Sequence, residues 1–294
     1  MNFKKIIAAV DFSEYSDKAV DYAIFLAHHF NAHLTLLHAV VTRREYIEES
    51  FNLPEYEDFL SAAVKQSRER LTPYLKKAAL SGVKTDVKVS QYILPAYAIL
   101  DFIREEDDYD LVVMGTHGRS GLKKWVYGSV AERVVRLSPI PVLTVHHETE
   151  NPAIHKILLP VDFSDFSKKA VEFARPIAKK FNASIDFLHV IEQKMHPAFY
   201  AGGVESIFEA DPGLQERSTK LLKEFVPYHP KNAQYTVEEG NAYKKIVEYA
   251  KTNGVDLIIM ATRGVTGLEH LLVGSTAERV VQLAPCPVLT VERN

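Results

Sequence analysis

Two carboxylates sit at matching points of this chain. Asp11 follows the run Lys5-Ile6-Ile7-Ala8-Ala9-Val10, and Asp162 follows Lys156-Ile157-Leu158-Leu159-Pro160-Val161. A carboxylate after an apolar run could hold a polar ligand or act as an acid or base. Acid–base work needs a second group at matched reach. Neither half supplies one, so binding is the expectation. The serines likewise lack a His/Asp arrangement that would activate a nucleophile.

A second constellation suits phosphate. Met114-Gly115-Thr116-His117-Gly118-Arg119-Ser120-Gly121 leads on to Gly128-Ser129-Val130. Glycine recurs after two residues and then after nine, and serine follows. Gly115 and Gly118 would let backbone approach an anion with no β-carbon in the way. Gly128-Ser129 opens an apolar-periodic segment, so unpaired helix N–H groups and the positive dipole end would face the ligand. On spacing alone a plainer reading stays open, in which the glycines only turn the chain and Ser129 only caps its helix.

Other residues invite less. His117, Arg119 and Arg263 could meet phosphate or lie in solvent. His146, His147 and His155 match no standard zinc spacing. Phe199-Tyr200-Ala201-Gly202-Gly203 reads as a surface loop. Cys286 is the one cysteine, so no intramolecular disulfide can form, and a small buried filler is its expected role. The net charge of −3 gives no reason to expect nucleic acid or an anionic membrane as partner. Asp11 ends the first apolar run too early for a signal peptide, and no stretch reaches the ~20 apolar residues of a membrane helix. A cytoplasmic protein is expected.

The elements that must position these groups repeat. The segment around Asp11 returns at an offset of 151. Asp110-Leu111-Val112-Val113-Met114 returns as Asp256-Leu257-Ile258-Ile259-Met260, at 146. Gly128-Ser129-Val130-Ala131-Glu132-Arg133 and Gly274-Ser275-Thr276-Ala277-Glu278-Arg279 share that offset, as do Pro141–Val145 and Pro287–Val291. The second copy is thus five residues shorter between its first and fourth strands. The polar stretch His146–Ala153 separates the copies, giving domains 1–148 and 153–294.

Within each copy, short Val/Ile/Leu runs alternate with helical patterns. Ile6–Val10, Leu34–Val40, Val83–Val89, Leu111–Met114 and Val142–Val145 read as buried parallel strands. Ser16 could cap a helix burying Ala19, Val20, Ala23, Ile24 and Ala27. After Gly128, Val130, Val134 and Val135 should face inward. Pro176 and Pro73 predict a kink or restart in their helices. Alternation of this kind means right-handed βαβ units, a parallel sheet covered on both faces, and ligands beyond the strands' carboxyl ends.

The pattern Gly, two residues, Gly, nine residues, Gly-Ser resembles the ATP-binding signature of the universal stress protein family. Val10-Asp11-Phe12-Ser13, His38-Ala39-Val40, His189-Val190-Ile191, Pro139-Ile140-Pro141-Val142 and Pro285-Cys286-Pro287-Val288 resemble the family's strand ends, and the likeness runs over the chain twice. It implies two tandem copies of a Rossmann-like, adenine-nucleotide-hydrolase-like α/β domain, each a five-stranded parallel sheet with helices on both faces.

It also implies that Asp11 bonds the ribose, that the backbone at Ala9 and Ala39 meets adenine, and that Met114, Gly115, Gly118, Gly128, Ser129 and Val130 surround the phosphates. The matching second set is Pro160, Asp162, Val190, Met260, Ala261, Gly264, Gly274, Ser275 and Thr276. ATP is the implied ligand, with Mg2+ bridging phosphates. The implied role is sensing or regulation under stress. A nucleotide-free interaction module and a slow ATP hydrolase are the alternatives. Family dimers join through the last strand, so Val142–Val145 and Val288–Val291 could pair within the chain, and a homodimer stays open.

Each half departs from the pattern once. Ala261 replaces the first glycine, and Leu94-Pro95-Ala96 stands where the second copy has Gly240-Asn241-Ala242. One methyl could crowd phosphate at Ala261, and Leu94 could intrude on the nucleotide. The first half is expected to bind better.

Overall fold

The computed structural model describes residues 3–42, 54–117, 128–146, 151–192, 206–262 and 274–291. Two compact units divide the chain, Asn2–Pro152 and Ala153–Arg293.

The first unit runs β1 (Lys5–Ala9), α1 (Glu14–Phe30), β2 (His33–Val41), α2 (Pro54–Leu80), β3 (Thr85–Tyr92), α3 (Pro95–Glu106), β4 (Leu111–Gly115), α4 (Ser129–Leu137) and β5 (Val142–Val145). Its strands stand in the order β3-β2-β1-β4-β5, and every neighbouring pair is parallel. The direction of travel reverses after β3. Right-handed crossovers therefore put α1 and α2 on one face and α3 and α4 on the other. Ile6 registers with Leu34 on one side and Leu111 on the other, and all three are fully buried. Burial of such a side chain stabilises by about 1.5–3 kcal/mol. That is why these strands read as continuous apolar runs rather than alternating ones.

The second unit repeats the plan: β6 (Lys156–Pro160), α5 (Asp165–Phe181), β7 (Ser184–Ile191), α6 (Ile207–Ala210), α7 (Leu214–Phe225), β8 (Gln234–Glu239), α8 (Ala242–Thr252), β9 (Leu257–Ala261), α9 (Ser275–Leu283) and β10 (Val288–Val291). Its order is β8-β7-β6-β9-β10, with parallel pairing between neighbours.

Four local expectations are corrected. The cap of α1 is Ser13, whose Oγ accepts from the Ser16 N–H at 3.2 Å. Ser16 lies inside the helix and donates its hydroxyl to the Ser13 carbonyl at 2.9 Å. In α4 the buried residues are Ala131, Val134 and Val135, whereas Val130 is half-buried. Of the kink or restart expected at the two prolines, the restart does not occur, since helix α5 continues through Pro176 and α2 through Pro73. A proline removes only one i→i−4 hydrogen bond, and packing of Ala170, Val171, Ala174, Ile177 and Ala178 holds α5 on both sides of the gap. Leu94 is treated with the cleft below.

Candidate functional site

In the first unit the sheet's order reverses between β1 and β4, and there a cleft opens beyond the carboxyl ends of the strands, as the doubly wound plan requires. It is a cavity of about 300 Å³. Ala9 and Asp11 come from the end of β1, Ala39 from β2, Met114 and Gly115 from β4, and Gly128, Ser129 and Val130 from the start of α4. The fold thus brings together every described residue of the first expected set. His38, Val41, Pro95, Ile99 and Thr116 complete much of the wall.

The second unit holds a matching cavity of about 270 Å³. Pro160, Asp162, Val190, Met260, Ala261, Gly274, Ser275 and Thr276 line it. Gly118 and Gly264 lie outside the described residues, as do Arg119, Arg263, His147 and Phe199–Gly203.

The acidic corner is built from a three-residue turn. Asp11 Oδ1 accepts from the Ser13 N–H at 3.0 Å and from the Ser13 hydroxyl at 2.6 Å. Asp162 and Ser164 repeat this at 3.0 and 2.5 Å. The carboxylate therefore locks the strand–helix turn, and the serine beyond it caps the helix. Between them Phe12 and Phe163 adopt left-handed backbone, φ 64° and 63°, which costs an L-residue about 1–2 kcal/mol. The rings offset that cost by packing. Phe12 lies 4.5 Å from the His38 ring, and the Arg70 guanidinium sits 3.9 Å over its face. Phe163 lies 4.4 Å from His189. His38 and His189 each donate Nδ1–H to the carbonyl of Val10 or Val161, at 2.7 and 2.8 Å. Nothing in sequence spacing pointed to Phe12 or Arg70. The Asp-Phe-Ser repeat was the one available signal.

The anion corner is the N-terminus of α4. Gly128 is its N-cap and no side chain caps it. Ser129 is the first helical residue, not a cap. The first N–H groups of a helix have no partner within it, and those of α4 open at residues that line the cleft. The Gly128 N–H closes onto the Thr116 carbonyl at 3.0 Å, and the Gly274 N–H onto Thr262 at 2.7 Å. Helix α9 likewise starts at an N-cap, Gly274, without a side-chain cap. This can take an anion by backbone alone.

One sequence-based concern resolves differently from expectation. Leu94 does not intrude. It is the N-cap of α3, as Asn241 is of α8; it is 45% exposed, and Pro95 and Ile99 line the cleft in its stead. Gly240 takes φ 123° and its N–H bonds the Ile191 carbonyl, a conformation Leu94 does not share. Gly115 is glycine for a packing reason. A β-carbon there would lie 2.8 Å from Tyr15 Cβ and 2.9 Å from the Tyr15 carbonyl carbon. Ala261 ends β9 and is not among the residues with left-handed φ, so its methyl imposes no backbone strain.

Cys286 is buried, and burial pushes its thiol up to about 12. Groups of three or more metal-ligating His, Cys, Asp or Glu residues do not occur among the described residues.

Each unit is therefore a doubly wound α/β domain with a ligand-sized cleft at its switch point. The chain belongs to the universal stress protein family, whose sequence model matches residues 2–146 and again 153–292. The universal stress protein MJ0531 of Methanocaldococcus jannaschii is 37% identical over 139 residues, spanning 47% of this chain and 82% of that protein. The universal stress protein Slr1230 of Synechocystis is 23% identical over 302 residues, covering 98% of this chain and 99% of its own. The crystal structure of a universal stress protein from Archaeoglobus fulgidus aligns at TM-score 0.71 and 22% identity, covering 99% and 98% of the two chains. That likeness supports the fold. No helix among the described residues is long and apolar enough to cross a membrane.

Proposed function

We propose that the chain is an ATP-binding universal stress protein with a sensing or regulatory role in stress responses, acting in the cytoplasm through domains 1–148 and 153–294. One observation supports this above others. The first cleft joins an apolar floor, a carboxylate at Asp11 and an uncapped helix N-terminus at Gly128-Ser129 in a single cavity. These suit a base, a ribose and a phosphate in turn. Asp11 is the ribose partner in this reading, the backbone at Ala9 and Ala39 meets adenine, and Met114, Gly115, Gly118, Gly128, Ser129 and Val130 surround phosphate. The second unit uses Pro160, Asp162, Val190, Met260, Ala261, Gly264, Gly274, Ser275 and Thr276 alike. Mg2+ would ride on the phosphates, held by the ligand's own oxygens.

Mass spectrometry of small molecules released from purified protein, followed by ATP calorimetry, tests the reading. Absence of adenine nucleotide together with no measurable ATP affinity overturns it in favour of a nucleotide-free interaction module. A turnover near the ordinary enzyme rate of about 10 per second would make the chain an ATP hydrolase instead. We also propose that Val142–Val145 pairs with Val288–Val291 within the chain, because each is an apolar, β-branched sequence that would be a hazard at a sheet edge. Sedimentation showing a monomer, with a disulfide forming between cysteines introduced into the two segments, is the expected result.

A further inference from the structure

We infer that Glu192 makes the second cleft select a nucleoside end that presents hydrogen-bond donors, a selection the first cleft lacks. This rests on the nucleotide-binding reading above and adds the ligand preference of one of its sites.

The acidic lining of the two clefts differs at one matched place. His38 and His189 are equivalent, since each donates to the carbonyl of the valine after the unit's first strand. Three residues on, the first unit has Val41 and the second has Glu192. Both line their clefts. Glu192 Oε1 accepts from the Ala242 N–H at 2.6 Å, and Ala242 opens helix α8. The helix that opens beside the first cleft begins instead with Pro95, which has no N–H to hold a carboxylate. Valine therefore goes with proline in one unit, and glutamate goes with an available N–H in the other. Glu192 is exposed, and the helix terminus holds one of its oxygens and favours its negative charge.

Position sets what this carboxylate meets. Glu192 follows β7, whereas Ala261 and the Gly274 corner belong with β9, and β6 lies between these two strands. Two inter-strand steps make about 10 Å. The carboxylate therefore stands at the nucleoside end, away from phosphate. An ionised carboxylate only accepts, so it holds an N–H or O–H and disfavours a carbonyl. An exocyclic base amine and a ribose hydroxyl both fit that chemistry.

The test uses full-length chain with the first cleft blocked by Gly128→Val and the fold checked by circular dichroism. ATP, inosine triphosphate, 2′-deoxy-ATP and 3′-deoxy-ATP are titrated with and without Glu192→Gln. Glutamine keeps an acceptor for the Ala242 N–H and adds a donor, so the turn is preserved while the preference goes. The expected result is that ATP outbinds at least one analogue, and that Glu192→Gln shrinks that ratio by about tenfold or more, the weight of one lost charge-assisted hydrogen bond. Loss against inosine triphosphate assigns the base amine, and loss against a deoxy analogue assigns the sugar. A ratio unchanged within about twofold overturns the inference. So does ATP binding in the first cleft of the unmodified chain with none in the second, which leaves the functional reading standing. ATP binding in neither cleft overturns both.

Discussion

The backbone of Tyr15 comes so close to Gly115 that a β-carbon on the glycine would lie 2.9 Å from the Tyr15 carbonyl carbon. The first turn of α1 thus rests directly on the end of β4, at the mouth of the cleft. The contact is with backbone, which cannot swing aside as a flexible side chain would. Gly115→Ala should therefore destabilise the first unit by about 1–3 kcal/mol, measured by urea denaturation. Ala261→Gly should leave second-cleft ATP affinity within about twofold, because Ala261 carries no left-handed strain to relieve. Tighter binding on Ala261→Gly would show that its methyl crowds the ligand after all.

Gly128 caps α4 with ordinary φ, −64°, so other residues can adopt its backbone. Gly128→Val should still weaken ATP binding in the first cleft by at least about tenfold, because a branched side chain would stand beside the N–H groups offered to phosphate. Calorimetry on the variant, paired with a melting curve to show it is folded, decides the point. Unchanged affinity would place the phosphates elsewhere.

Phe12 combines left-handed backbone, φ 64°, with ring contacts to His38 and Arg70. Phe12→Ala removes the ring and keeps the strain, whereas Phe12→Gly removes both. The glycine variant should be the more stable of the two by about 1 kcal/mol, reversing the usual order for helix or strand interiors. Chemical denaturation of the two variants side by side gives the sign.

The Cys286 thiol is pushed up to about 12 by burial, so at pH 8 it stays protonated and poorly nucleophilic. Labelling by a thiol-specific disulfide reagent should be slow in the native protein and immediate in denaturant. Fast native labelling would mean that the segment around Cys286 opens readily.

The sequence by itself determined the repeat, the strands and the corners of both clefts. Those features rest on local chemistry: apolar runs long enough to be buried, glycines before a helix start, and one aspartate after each first strand. Tertiary structure decided what depends on where separate segments meet. Ser13 rather than Ser16 caps α1 because the Asp11 carboxylate takes the Ser13 N–H and hydroxyl, a choice that two serines so close in sequence leave open. Leu94 is left out of the first cleft's lining because α3 starts at Pro95, one residue earlier than matching by a fixed offset to Ala242 would place it. Gly115 answers to Tyr15, which lies 100 positions earlier in the chain. Glu192 acquires its place only when β7 sets it against the first N–H of α8. A one-dimensional pattern fixes which residues can be buried or can bend, whereas contact between distant segments exists only once the sheet has formed.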